Sequence, residues 1–235
     1  MRRALTRASQ TLIDLAVFAA ALVALIVVIG GRITPSFTHN WLSRSGQPVT
    51  PAPFGLFDKI SLLVTAVALA NWIAMPDTAL TAVLFLLAAA VLSVRLWRWK
   101  GTYTWREPLL LVLHIGYAFV PLGFVLGSIA ILMPRTLHGT ADLHAWTVGA
   151  VGLMTLGVMT RATRGHTGHA LAASTMTIAS YVAIIVAALL RIAAGFLPEF
   201  YMTLIEFAGA AWLAAFGLFL VEYGPMLFRP RLSVP

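Results

Sequence analysis

The sequence contains no cysteine. That removes disulfides, zinc–thiolate sites, iron–sulfur clusters and thiolate-ligated haem. Charge is also scarce: 10% of the 235 residues are Asp, Glu, Lys or Arg, where a soluble domain averages about 25%. Such a chain cannot cover a globule of its size with polar surface. Sixty per cent of its residues are hydrophobic and its mean hydropathy is +0.90, so it needs lipid as its cover. Length and composition together read as one transmembrane domain, 1–235, with no separate soluble part. The net charge of +8 would point to nucleic acid in a soluble protein. Here it reports a positive-inside bias and attraction to anionic lipid, and nucleic acid is set aside as a partner.

What is present is long apolar runs. A spanning helix needs about 20 mostly apolar residues. Seven such runs lie near 11–30, 56–75, 78–97, 107–132, 139–161, 170–193 and 200–223. The expected fold is therefore all-α, a polytopic transmembrane bundle of about seven spans. Gly30-Gly31, Pro76-Asp77, Pro134, Gly165, Gly168 and Pro198 punctuate the runs. Pro121 falls inside the fourth and predicts a kink. The long stretch 31–55, with four prolines, reads as a connection. Arg2, Arg3 and Arg7 before the first run do not make it a signal peptide: the run is too long and lacks a small-residue cleavage site.

Seven spans put the termini on opposite sides. The N-terminal side would carry five basic residues: Arg2, Arg3, Arg7, Arg135 and Arg191. The other eleven, including the cluster Arg95, Arg98, Lys100 and Arg106, fall on the opposite side. The expectation is a multi-pass protein of a bacterial inner membrane with its C-terminus in the cytoplasm. Trp97, Trp99, Tyr103 and Trp105 suit an interfacial belt.

Four of six histidines lie in or beside apolar runs: His114, His138, His144 and His166. Ionisable residues there are costly and are functional candidates by default. His114 sits about two turns into the fourth run. It is either a neutral imidazole bonded to a neighbouring helix or a haem ligand. His144 opens the fifth run. On a regular helical wheel it shares a face with Val148, Val151 and Thr155, flanked by Gly149 and Gly152, which leave room for a flat ring or another helix. That face is also compatible with plain packing. The fourth and fifth helices are antiparallel, so the two histidines differ in depth by roughly 20 Å. Two nitrogens on one metal lie only about 4 Å apart. Two separate sites fit better than one. In "RATRGHTGH" glycines flank His166, with Arg161 and Arg164 before it. These are cations for haem propionates or ordinary interfacial arginines. Asp58, Asp142 and Glu206 are candidate proton-path residues.

"GGRITPSFTHN" at 30–40 resembles the GGRxxPxFTxN segment of the NnrS family. "PLLLVLHIGYAFVPLGFVLG" is similar to that family's LHxGY helix, "LHAWTVGAVGLMTLGVMTRATRGHTG" to its most distinctive stretch, and "YGPMLFRPR" to its tail. The resemblance implies a bacterial membrane protein of nitric-oxide response, tied to denitrification and nitrosative stress. It implies haem b, one or two, and copper as cofactors. His114, His144 and His166 fall on the family's histidine positions and Arg161 on its arginine. The first three become candidate metal ligands, and all four candidate cofactor contacts. His169 stands where the family usually has arginine. Members usually have about twelve spans, and this chain resembles the back seven. The expectation is a short member, or a piece that pairs with a membrane partner subunit or with itself.

Three functions remain open. One is a haem or haem–copper protein of nitric-oxide metabolism or defence. Another is a cytochrome b-like electron-transfer anchor for a partner enzyme. The third is a metal-free assembly or transport factor. Whether any reaction is catalysed is left open.

Overall fold

The computed structural model describes residues 2–137 and 140–231, with side chains from residue 13 on. His138 lies outside the described residues. Seven helices follow in order: α1 (Arg2–Arg44), α2 (Leu56–Ala74), α3 (Ala79–Trp97), α4 (Pro108–Leu132), α5 (Ala141–Thr167), α6 (Thr175–Phe196) and α7 (Tyr201–Leu227). Short 3₁₀ turns at Gly101–Thr104 and Pro198–Phe200 precede α4 and α7. The described residues contain no strand. All seven helices are long and apolar enough to cross a membrane.

Local chemistry sets most of the ends. Thr78 caps α3, its hydroxyl accepting from the Thr81 N–H. Ser174 does the same for α6 through Thr177 N–H at 3.0 Å. Asp58 reaches back to the Gly55 N–H at 3.1 Å and closes the start of α2. Pro108 opens α4, where a missing N–H costs nothing. Gly168, with φ of 80°, ends α5 in the left-handed turn that favours glycine.

Two sequence expectations fail at α1 and α5. The pair Gly30-Gly31 does not end α1, and the segment from 31 to 44 is helix rather than connection. Pro35 sits inside it. The glycines are buried and face other helices. Packing there outweighs the weak local preference of glycine against helix. The connection shrinks to 45–55. At the other end, α5 runs on to Thr167, so the Gly-His-Thr-Gly stretch forms its last turn and not a loop.

Within α5, Ala145–Gly152 is π-helical. A wider turn in mid-helix shifts the face presented by everything after it. The regular wheel that grouped His144 with Val151 and Thr155 therefore does not hold. The space at Gly149 is filled by the Phe119 ring of α4.

The core gathers around α4. Seventy-two per cent of its apolar centre is buried, against 17% for α7. An aromatic cluster of Trp72, Phe85, Phe124 and Trp146 joins α2, α3, α4 and α5, with edge contacts at 5.0 to 5.9 Å between several rings. The Trp146 indole donates to the Val120 carbonyl at 3.0 Å, beside Pro121. A buried indole needs such an acceptor.

Candidate functional site

Glu107, His114 and Tyr117 lie along one edge of α4, at spacings of seven and three residues. The C-terminal half of α1 packs on that edge. Each of the three meets a polar partner there or on α3, and the result is a polar ladder at one end of the bundle.

The deepest rung is a buried ion pair. Arg95 of α3 is 1% exposed. Its Nε donates to Asp58 Oδ1 at 2.9 Å, and its Nη1 donates to the Val27 carbonyl at 3.0 Å and the Tyr117 hydroxyl at 3.1 Å. A side chain on residue 31 would collide with the guanidinium. Gly31 is thus the opening that lets Arg95 lie against α1. Sequence reading counted Arg95 among loop charges. The signal that could have found it is the pairing of a cation near the end of α3 with an acid near the start of the adjacent α2.

His114 is the middle rung, 6% exposed. Its Nε2 lies 2.9 Å from Thr38 Oγ1. The Thr38 hydroxyl has one hydrogen, and it goes to the Thr34 carbonyl at 2.8 Å. The Thr38 oxygen must then accept, so Nε2 carries the imidazole proton. That leaves a lone pair on Nδ1, which is buried and has no hydrogen-bond partner. Gly101 lies directly against this ring, where any side chain would strike the imidazole. Trp99 meets it edge-on at 6.4 Å. A cavity of about 710 Å³ opens beside His114, between the end of α3, the Gly101–Thr104 turn and α4.

The outer rung is Glu107. Burial raises its carboxyl above the ordinary value, while Arg161 and a hydrogen bond from the Trp41 side chain pull the other way. Arg161, near the end of α5, stacks over the Phe37 ring at 4.6 Å. His166, one turn further along, is exposed.

His144 is at the opposite end, in the first turn of α5. Its surroundings reverse those of His114. Arg191 Nη2 donates to His144 Nε2 at 2.8 Å, and Thr140 Oγ1 is 3.1 Å away. A guanidinium can only donate, so Nε2 holds the lone pair and Nδ1 the proton. His144 Nδ1 is buried without a partner. This imidazole offers a metal nothing until Arg191 moves. Among the described residues, no three His, Asp or Glu side chains gather closely enough to hold an ion by themselves.

A second buried pair ties the ends of α5 and α7. Arg164 Nη2 donates to Glu222 Oε1 at 2.8 Å and its Nε to the Tyr223 hydroxyl at 3.1 Å. Ser174 and Thr177 also donate to Glu222. Asp142 is half-buried near Gly127, and Glu206 is exposed on α7.

Three of the α1 residues in the ladder belong to "GGRITPSFTHN": Gly31 at Arg95, Thr38 at His114, Phe37 at Arg161. A family model described as NnrS protein matches residues 3–231, nearly the whole chain. The chain belongs to the NnrS family. No curated protein and no solved structure matches it. In this NnrS protein the motif residues of α1 are therefore not a linker. They supply the second wall of the polar ladder, and His114 is the ladder's one imidazole.

Proposed function

We propose that this chain is a haem-binding membrane protein of nitric-oxide metabolism or nitrosative-stress defence, in which His114 Nδ1 would hold the iron. The observation that carries the reading is the free, buried Nδ1 lone pair of His114. A neutral imidazole whose other nitrogen is held by a hydrogen bond is the usual form of a metal-ligating histidine. Bound haem would supply an iron able to take a diatomic such as nitric oxide at an open position. The chain's own residues do the rest. Thr38 fixes the ring's proton on Nε2. Gly101 and Trp99 lie against the ring, so the Gly101–Thr104 turn would have to give way for an iron to reach Nδ1. Arg161, at the same end of the bundle, is the cation proposed to face the acidic groups of the cofactor, with His166 beside it as a further polar contact.

His144 is proposed as a contact of a second cofactor, a haem or copper, at the other end, with Arg191 displaced from Nε2. The two-ended placement also supports the alternative reading, an electron-transfer anchor with cofactors at two depths. An optical spectrum of the purified protein tests the proposal. A Soret band that shifts when nitric oxide or carbon monoxide is added to the reduced form is the expected result. A band indifferent to both gases would favour the electron-transfer reading, since a six-coordinate iron has no free position. Absence of any Soret band in protein made under haem-replete conditions would remove haem altogether.

A further inference from the structure

A second cavity, about 810 Å³, is lined in part by Trp99, whose ring meets His114. The walls are α1, the segment 50–54, α2 and α3. The Ala52 N–H bonds the Arg98 carbonyl at 3.1 Å and ties that segment to the end of α3. Val28, Pro35, Pro53, Phe54, Leu62 and Trp99 make most of the surface apolar. The polar exceptions are mainly Arg95 and Asp58 inside, with exposed Arg32 and His39 toward the rim.

Arg95 has donor capacity to spare. Its Nε and Nη1 are used, but among the described residues Nη2 donates to nothing. The Nη2 edge lies against Gly31, and both residues line the cavity. Asp58 has both oxygens engaged, by Arg95 and by the Gly55 N–H. Arg95 and Asp58 balance in charge, so Arg32 leaves the cavity net positive. A buried guanidinium edge with a second arginine outside it fits a phosphate.

We propose that this cavity holds the phosphate headgroup of an anionic phospholipid. Free phosphate shares that chemistry but has no use for the apolar walls. Val28 and Phe54, 46% and 55% exposed, border the cavity as surface for an acyl chain. Arg98, Lys100, Arg106 and Lys59 crowd the same end of the bundle. The charge count assigns that end to the cytoplasmic leaflet, where anionic lipid and basic clefts between spans meet.

Native mass spectrometry of delipidated protein in neutral detergent tests this. Phosphatidylglycerol, phosphatidylcholine with the same acyl chains, and inorganic phosphate are offered separately. Retention of phosphatidylglycerol alone is expected. Arg32→Gln should weaken it about tenfold, the scale of one charge-assisted hydrogen bond. Lys59→Gln, outside the cavity, should leave it unchanged. Leu62→Trp fills the cavity without changing charge and should abolish retention. Arg95 is left intact, because its loss would strand Asp58. Equal retention of phosphatidylcholine, equal loss in Arg32→Gln and Lys59→Gln, or unchanged retention in Leu62→Trp would overturn the proposal. Displacement of the lipid by inorganic phosphate at equal concentration would overturn the lipid as occupant.

Discussion

One proton separates the two membrane histidines. At His114 the Thr38 hydroxyl takes the Nε2 proton and leaves a lone pair free; at His144 the Arg191 guanidinium takes the lone pair and leaves a proton free. Substitution should expose the difference. His114→Ala should lose the haem that the Soret-to-protein absorbance ratio measures, with the protein still inserted. Gly101→Ala should lower the same ratio by pressing a methyl group into the imidazole, while membrane yield stays near that of the parent. Full haem retention in both would take His114 off the ligand list. Arg191→Gln should leave haem at His114 untouched. Glu107 adds a pH effect. Its folded carboxyl titrates above the ordinary value because it is buried. The stability it contributes is complete below the unfolded value and declines as pH rises through the raised folded value. Glu107→Gln should flatten that decline, which runs upward from the ordinary glutamate value of about 4.3. Thermal unfolding across that range checks it, and parallel curves for parent and variant would contradict it.

Each buried arginine ties its own helix to others, and removing its acidic partner is costly. Asp58→Ala strands the Arg95 cation between α1, α3 and α4, which should cost about 3–5 kcal/mol. Asp58→Ala combined with Arg95→Leu should recover much of that loss, because neither charge is then left alone. Detergent thermal melts of the two single variants and the double variant give the coupling. Simple additivity would mean that the pair does not bind the helices together. These pairs also mark the limit of what the sequence disclosed. Seven spans, their order and most of their starts were readable, because apolar length and caps such as Thr78 and Ser174 are local signals. The continuation of α1 through Gly30, Gly31 and Pro35 was not. Those residues are breakers by local preference, and only their contacts with α3, α4 and α5 make the helix hold. The π turn in α5 was equally hidden, since a wheel assumes one period throughout. His114 was legible as a costly imidazole, but its free nitrogen depends on Thr38, a residue 76 positions away. Trp99 looked like part of an interfacial belt, and it is 2% exposed, while Trp97 and Trp105 remain at the surface.

For the molecule as a whole, orientation follows from charge. Arg95 and Arg164 turn out to be paired with acids inside the bundle, yet the basic excess at the C-terminal side remains without them. The C-terminus should therefore face the cytoplasm. A fluorescent protein fused after residue 235 should fold, and alkaline phosphatase at the same place should stay inactive. An active phosphatase would invert the map and place the polar ladder on the outer side. The length of α1 fits a molecule that reaches past the bilayer: 43 residues make about 65 Å of helix against a hydrocarbon core of about 30 Å.

Trp99 lines the cavity of about 810 Å³, and its ring meets that of His114. A side chain shared by a cavity and an imidazole couples what happens at the two. Any occupant that displaces the indole from one side alters affinity on the other, and reciprocity requires the same factor in both directions. If that cavity takes a lipid, the surrounding membrane's composition becomes an input variable to His114, carried by one indole.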